Sequence, residues 1–146
     1  MSNRNGEQGI VVGVDGSASS KQALQWALGY ADTAGLPVTA VLAWEIPANY
    51  GTAAMVLPAA EFADEAKREL KQVVDEAAAA HPEVRVERRV VEGHPAKILL
   101  KEAEHAQMLV VGSRGHGGFV GAILGSVSQH CVTHAHCPVL VFRGTE

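Results

Sequence analysis

The sequence lacks the features of secreted and membrane-spanning proteins. It has only two cysteines, Cys131 and Cys137, which make no disulfide framework and are normal for a reducing compartment. No apolar run approaches the roughly 18 residues that a membrane-spanning helix needs. The N-terminus has no basic segment followed by an apolar stretch, so we expect no signal peptide. These absences predict a cytoplasmic protein that does not act at a membrane.

Positive charge is also scarce. Lysine and arginine total 12 against 16 aspartate and glutamate residues, which gives a formal net charge of −4. No stretch has the clustered basic side chains that nucleic-acid-binding proteins carry. Arg85, Arg88 and Arg89 are expected to face solvent around one strand. We therefore expect no nucleic-acid partner.

Apolar side chains, in contrast, are plentiful, at 47% of the 146 residues. That is enough to bury the core of one ordinary domain. We expect a single domain over residues 1–146, without internal repeats. Residues 1–8 (MSNRNGEQ) are expected to be disordered because they offer little apolar surface to bury.

Strand and helix patterns alternate along the chain. Ser17 is expected to cap the first helix, Gly35 to end it, and Pro95 to open the third helix. Short apolar runs predict strands at residues 9–15, 37–44, 84–91, 108–111 and 138–142. Helical spacing of apolar residues predicts helices at 17–34, 58–80, from 95 onward, and 126–135. The strand at 84–91 is the most polar, which favours an edge position.

Apolar strands separated by helices indicate a parallel sheet covered on both faces, and hence the α/β class. Right-handed crossovers make this an open, twisted, three-layer sheet wound in both directions. Ligands of such folds bind at the carboxyl ends of the strands, where the winding reverses. For a strand order 3-2-1-4-5, residues 15–17 (DGS) and the stretch that begins at Gly112 would meet there.

The stretch from residue 112 to 128, GSRGHGGFVGAILGSVS, is rich in glycine just where a strand ends. It is no P-loop, because no lysine lies between residues 102 and 146. It is no dinucleotide fingerprint either: Gly115 and Gly117 fit the first two glycine positions, but residue 120 is valine and the loop follows the fourth strand.

A cradle for the phosphates of a mononucleotide fits the stretch better. Gly112 would let a sugar approach the strand end, and Gly115 would permit a turn. Gly125 and Ser126 would open the last helix, whose first N–H groups form an anion site. The Ser126 and Ser128 hydroxyls would add donors, and Arg114 a positive charge.

The glycine and serine spacing resembles the nucleotide-binding signature of the universal stress protein family, in its ATP-binding branch. The spacing is G-x2-G-x9-G-S, at Gly112, Gly115, Gly125 and Ser126. Three further segments resemble the family's first strand and turn, its third strand with the following helix, and its closing strand. They are VVGVDGS at 11–17, VVEGHPAKILLKEA at 90–103 and HCPVLVFR at 136–143. The resemblance thus covers nearly the whole chain.

The resemblance implies an adenine nucleotide alpha hydrolase-like fold with strand order 3-2-1-4-5. It implies ATP as the ligand of a nucleotide-dependent regulatory protein of the stress response, and leaves the need for Mg²⁺ open. Asp15 would bond the ribose or the metal–phosphate region, and Ala43 would offer its backbone to adenine. The other implied site residues are Gly13 beside the nucleotide, Gly112, Arg114 and Gly115 along the ribose and phosphates, and Gly125, Ser126, Val127 and Ser128 at the phosphates.

The family commonly dimerises through its last strand, which implies a homodimer through Val139–Phe142. An apolar edge strand left uncovered is an aggregation hazard, and pairing about a two-fold axis would cover it.

Other functions stay open at this stage. Slow ATP hydrolysis would need Asp15 and a metal to position water, and no catalytic constellation is predicted. A cyclic-AMP-binding or buffering protein would use fewer of the donors at residues 125–128. In a ligand-free interaction module, the glycines would form only a tight loop, and Asp15 and Ser126 would serve as turn and cap residues.

Three remaining features favour ordinary structure over chemistry. Four potential zinc ligands, His130, His134, His136 and Cys137, lie within eight residues of the segment QHCVTHAHCP (129–138). His130 and His134 are expected on a helix surface, so no metal site is predicted. His94 is expected to serve local structure, while His116 lies in the phosphate loop. Residues 45–57 have no period and fit a lid over adenine or a plain connection equally well.

Overall fold

Five strands alternate with four helices in the computed structural model, which describes residues 9–45, 59–113 and 125–144. The strands are β1 (Ile10–Gly13), β2 (Val38–Trp44), β3 (Val86–Glu92), β4 (Met108–Gly112) and β5 (Val139–Phe142). The helices are α1 (Ala18–Ala34), α2 (Ala59–Ala78), α3 (Pro95–Glu102) and α4 (Ser126–His134). All strand pairs are parallel, in the order β3-β2-β1-β4-β5, which confirms the predicted fold.

Alternate residues of the central strand β1 point to opposite faces of the sheet. Ile10 and Val12 pack in the core beneath α1 and α2, whereas Val11 packs in the core beneath α3 and α4. All three are completely buried. Burial on both faces explains why β1 is apolar without alternation.

The predicted helix ends are confirmed. Ser17 caps α1 by accepting a hydrogen bond from the Ser20 N–H, and Gly35 ends the helix in the left-handed conformation at φ 74°. Proline opens α3 at residue 95, as expected. Within the described residues, no helix is both long and apolar enough to cross a membrane.

The two edges of the sheet differ in character. The edge strand β3 has four exposed residues of seven and a bidentate ion pair in which Arg89 donates to Glu102 at 2.7 and 2.9 Å. This pairing raises the pKa of the Arg89 guanidinium. The other edge strand, β5, is apolar and half-buried throughout. Both edge predictions are confirmed.

The winding of the chain reverses beside β1. From β1 it passes through α1 to β2 and through α2 to β3, and α3 then leads back to β4 on the other side of β1. Val12 pairs with Ala40 of β2 on one side and with Val110 of β4 on the other. A crevice between the carboxyl ends of β1 and β4 is the expected ligand position in such a fold.

Candidate functional site

Asp15 lies in the turn between β1 and α1, with one carboxylate oxygen held in place. Its Oδ1 accepts hydrogen bonds from the Ser17 N–H at 2.9 Å and the Ser17 hydroxyl at 2.6 Å. Its own N–H donates to Ser20 Oγ at 3.2 Å. Among the described residues, Oδ2 accepts no hydrogen bond, and Asp15 is exposed. The carboxylate is therefore oriented and still has an oxygen for a ligand hydroxyl or a cation.

The turn before α1 is built for this arrangement. Gly16 has φ 85°, a left-handed conformation that side chains disfavour. The Ser17 hydroxyl both donates to Asp15 and accepts from the Ser20 N–H at 3.2 Å. The start of α1 is thus capped by the chain itself, because the Ser17 hydroxyl accepts from one first-turn N–H, that of Ser20.

The start of α4 is capped differently. Its N-cap residue is Gly125, which has no side chain to accept a bond, and its first turn holds no acidic residue. The first helical bond runs from the Gln129 N–H to the Gly125 carbonyl, at 3.0 Å. The N–H groups of the first turn, at residues 126–128, have no partner within an α-helix. They are the donors that an anion would use.

The α4 start is fixed beside the end of β4. The Gly125 N–H donates to the Ser113 carbonyl at 2.6 Å, and the Ser128 hydroxyl lies 3.1 Å from the same oxygen. That hydroxyl also lies 3.1 Å from the Gly125 carbonyl. The predicted phosphate donor Ser128 therefore directs its side chain to the backbone, and its N–H remains the group for an anion.

Four polar side chains are buried in the described part of the chain, and all four lie in the first turns of α1 and α4 or just after β4. They are Ser19, Ser20, Ser113 and Ser128. Burying a hydroxyl is unfavourable unless it is hydrogen-bonded. Four buried serines at these helix starts and strand ends therefore set this part of the molecule apart. The sequence patterns did not point to Ser19, Ser20 or Ser113. The available signal was a cluster of serines after each strand end, SASS at 17–20 and GS at 112–113.

Gly13 and Gly112 let helices approach the strand ends from opposite faces. A Cβ on Gly13 would lie 2.7 Å from a methyl carbon of Leu99 on α3. A Cβ on Gly112 would meet the Ser19 hydroxyl and would lie 2.9 Å from backbone atoms of Ser19 and Ser20. Close packing of α1 thus requires glycine at residue 112, where the neighbours are backbone atoms, whereas at residue 13 the end of the flexible Leu99 side chain would have to shift.

Ala43 is half-buried in β2, two residues after Val41, which pairs with Gly13. The next residue, Trp44, lies parallel to Phe62 of α2, with ring centroids 6.4 Å apart. Ala43 thus occupies the same end of the sheet as Asp15, and an aromatic pair supports the neighbouring backbone.

Of the remaining predicted residues, some lie within the described ranges and others do not. Ser126 is exposed and Val127 half-buried at the start of α4. Arg114 and Gly115 lie outside the described residues, as do His116 and all of the 45–57 segment after Glu45. Eight of the ten predicted positions thus lie in the described residues, at or just after the carboxyl ends of β1, β2 and β4 and at the start of α4: Gly13, Asp15, Ala43, Gly112, Gly125, Ser126, Val127 and Ser128.

The histidines of α4 lie on its exposed surface. The rings of His130 and His134 have centroids 4.5 Å apart. In the described ranges, no three His, Cys, Asp or Glu side chains cluster closely enough to hold a metal. His94 precedes α3 as an exposed N-cap residue without a side-chain cap bond.

Comparison with known sequences finds related proteins along almost the whole chain. The model of the universal stress protein family matches residues 8–143. A universal stress protein of Mycolicibacterium smegmatis is 37% identical over 137 residues, which are 92% of this chain and 45% of that protein. A second relative, universal stress protein Rv2623 of Mycobacterium tuberculosis, is 35% identical over 92% of this chain and 44% of its own. The chain thus spans about half the length of the curated relatives it matches.

Solved structures share the fold. A universal stress protein in complex with cAMP is 28% identical, with a TM-score of 0.69, and the match covers 95% of this chain and 98% of that one. The structure of hypothetical protein MJ0577 has a TM-score of 0.80 over 96% of this chain and 98% of its own, at 20% identity. That second likeness concerns the fold alone.

Proposed function

The chain belongs to the universal stress protein family, and we propose that it binds ATP between β1 and β4 and acts as a nucleotide-dependent regulatory protein. One observation carries the proposal: the glycine-capped start of α4 lies at the end of β4, next to β1, which leads into the turn that holds Asp15. In this proposal the combination offers N–H donors to phosphates and a carboxylate to a sugar hydroxyl or Mg²⁺.

Each part of the crevice has a role in this proposal. The N–H groups of Ser126, Val127 and Ser128 bind phosphate oxygens, aided by Arg114. The oriented carboxylate of Asp15 binds the ribose or a phosphate-bound Mg²⁺. The backbone of Ala43 contacts adenine. The remaining positions give the nucleotide close access to the backbone: Gly13, Gly112, Gly115 and Gly125.

Cyclic AMP is a second candidate ligand. It is favoured by the likeness to a universal stress protein in complex with cAMP, which covers almost the full length of both chains. A cyclic phosphate has a single phosphorus and would engage fewer N–H groups than the phosphates of ATP. Comparison of the two ligands therefore tests how much of the α4 start is used.

We also propose that β5 (Val139–Phe142) pairs with the same strand of a second copy. The strand is apolar, half-buried and at the edge of the sheet, where an open edge favours pairing with another chain. Light scattering at micromolar concentration should give the mass of a dimer. A monomeric mass would contradict this part of the proposal.

The first experiment identifies the ligand. Protein is purified from cells without added nucleotide and denatured, and the released small molecules are analysed by mass spectrometry. Calorimetric titrations with ATP, AMP and cyclic AMP follow, each with and without Mg²⁺. We expect ATP to bind and the Gly125→Val variant to lose binding, because a branched side chain would crowd the helix start.

The matched control is Gly29→Val, in the middle of α1. A Cβ at Gly29 has its nearest neighbours, two atoms of the His81 ring, at 3.8 Å, which is ordinary contact. Gly29→Val should therefore bind ATP as wild type does. Absence of binding by the wild-type protein for all three nucleotides would refute the proposed function.

A further inference from the structure

The hydroxyl of Ser128 is buried in the first turn of α4, where it meets two backbone carbonyls. Ser128 is 3% exposed. Its Oγ lies 3.1 Å from the carbonyl oxygen of Ser113, just after β4, and 3.1 Å from that of Gly125, the helix cap. A hydroxyl has one proton, so it donates to one of these carbonyls at a time or shares the proton between them, and it lies between the end of the strand and the start of the helix.

The peptide groups of Ser113 complete this connection. The Ser113 N–H donates to the Phe142 carbonyl of β5 at 2.9 Å, and the Ser113 carbonyl accepts from the Gly125 N–H at 2.6 Å. A single residue thus joins β4, β5 and the α4 start. The orientation of the first-turn N–H groups relative to the sheet depends on this junction.

A glycine cap cannot fix that orientation itself. In α1 the capping side chain of Ser17 orders the first turn from the outside. In α4 the cap is Gly125, so the outer side of the turn has no side chain from that position. The Ser128 hydroxyl instead bonds from the buried side and leaves the outer side to a ligand. Binding sites need donors that are held in direction before the ligand arrives.

Resting on the proposed function, we propose that Ser128 is a positioning residue for the bound phosphate. Its hydroxyl holds the start of α4 against the end of β4, so that the N–H groups of residues 126–128 point into the crevice. The hydroxyl does not itself contact the ligand. This separates the side chain of Ser128 from its N–H, which remains among the phosphate donors.

Three substitutions at one position separate the hydroxyl from the volume of the side chain. Ser128→Ala removes the hydroxyl, Ser128→Cys keeps the size but offers only a weak donor, and Ser128→Thr keeps the hydroxyl. The Cys variant provides the same test if the Ala variant folds poorly. The matched control is Thr133→Val, because the Thr133 hydroxyl also donates to a carbonyl of α4, that of Gln129 at 3.0 Å, far from the crevice.

The first readout needs no ligand. Residue-resolved hydrogen exchange by NMR follows the Gly125 N–H in the ligand-free protein. We expect exchange about tenfold faster in Ser128→Ala and Ser128→Cys, because the Ser113–Gly125 junction opens more often. Ser128→Thr and Thr133→Val should exchange as wild type does. Unchanged exchange in Ser128→Ala would overturn the proposal.

The second readout is calorimetric titration with ATP. We expect affinity about tenfold weaker for Ser128→Ala and Ser128→Cys, and within about twofold of wild type for Ser128→Thr and Thr133→Val. Faster exchange with wild-type affinity would overturn the positioning role, as would a Ser128→Thr variant as weak as Ser128→Ala.

The two readouts also distinguish failure of this inference from failure of the proposed function. If the wild-type protein binds none of ATP, AMP and cyclic AMP, the proposed function fails and the positioning role fails with it. Exchange at Gly125 then shows whether the Ser128 hydroxyl has a purely structural role. If the wild type binds a nucleotide and only the expectations for the Ser128 variants fail, the proposed nucleotide site is retained and the positioning role of Ser128 is rejected.

Discussion

The starts of α1 and α4 meet at the end of β4 but are completed in opposite ways. Gly112, the last residue of β4, lies against the first turn of α1, and Ser113, the next residue, bonds to the start of α4. The α1 start has a serine cap and the Asp15 carboxylate. The α4 start has a glycine cap and no acidic residue in its first turn.

The difference shows how two similar helix starts in one fold can serve two purposes, stabilising a helix at α1 and offering donors to a ligand at α4. Both helix starts have N–H groups that lack partners in the helix, and both have a positive dipole end. In α1 the chain supplies the acceptor itself, which stabilises the helix and orients Asp15. In α4 the chain supplies none at the cap position, which leaves the donors for an anion from outside.

The largest expected effect on stability comes from a substitution that pushes the start of α1 away from the end of β4. In Gly112→Ala, the added methyl group would lie 2.9 Å from backbone atoms of Ser19 and Ser20. The first turn of α1 must then move away from β4, and we expect a loss of about 3 kcal/mol in the free energy of unfolding. Urea denaturation at pH 7 measures it.

The control for that substitution is Gly29→Ala, where the added methyl group has space. Alanine in mid-helix should stabilise the protein by about 0.5–1 kcal/mol. A Gly112→Ala protein as stable as wild type would mean that the helix start yields easily, and the close contact at β4 would lose its importance.

A second substitution makes the α4 start resemble the α1 start. Ser126 is exposed in the first turn of α4, and Ser126→Asp places a carboxylate there. We expect the free energy of unfolding to rise by about 0.3–1 kcal/mol through the helix dipole. Affinity for ATP should fall more than about tenfold, because the carboxylate repels the phosphates.

The important result of that experiment is that Ser126→Asp should raise the free energy of unfolding while it lowers the affinity for ATP. Ser126→Asn, of similar size and without charge, is the comparison variant and should lose much less affinity. Equal affinities of the Asp and Asn variants would argue that no anion binds at the α4 start. Calorimetry and urea denaturation of the same samples give both quantities.

The converse substitution removes the α1 cap. Ser17→Ala deletes the acceptor for the Ser20 N–H and the donor to Asp15 Oδ1. We expect a loss of about 1 kcal/mol in the free energy of unfolding, typical of an N-cap. Ser17→Thr should restore most of it in urea denaturation, and a Ser17→Ala protein of wild-type stability would show that the α1 start does not depend on its cap.

The smallest expected effect on stability tests how well α4 is packed after its first turn. Cys131 is completely buried in α4, and burial, with a smaller contribution from Cys137, raises the pKa of its thiol from 9.0 to about 11. The folded state therefore favours the neutral thiol, so stability should be nearly constant up to about pH 8 and fall as the pH rises through 9 towards 11. At pH 9.5 we expect this loss to be on the order of 1 kcal/mol relative to pH 7.

The control is Cys131→Ala, which should be less stable at neutral pH because of the cavity but should lack this part of the alkaline decline. If both proteins decline equally between pH 7 and 9.5, α4 is loosely packed. The open start would then reflect a mobile helix instead of a prepared site. Urea denaturation at the two pH values decides.

Sequence analysis predicted the fold because its signals are local. Ser17, Gly35 and Pro95 mark helix ends through their own backbone preferences, and the polar strand at residues 84–91 predicted an edge. The strand order was not available from such patterns. It came from the family resemblance, since the side of β1 on which β4 lies depends on contacts between distant segments.

The site was predictable only in part for the same reason. The start of α4 followed from Gly125 and Ser126, but the direction of the Ser128 hydroxyl depends on Ser113, fifteen residues earlier. A buried serine has no signature of its own in a sequence. Gly112 was interpreted as access for a sugar, and the structure adds the contact with Ser19 as an independent reason for glycine.

The aromatic pair at the end of β2 gives this protein a built-in optical reporter. The chain has two tryptophans: Trp44, which follows the proposed adenine contact Ala43 and stacks with Phe62, and Trp26, which stacks with Tyr30 on α1. A Trp26→Phe variant would leave a single indole beside the crevice. Its emission spectrum would then follow occupancy in real time without a label, and stopped-flow mixing would give association and dissociation rates.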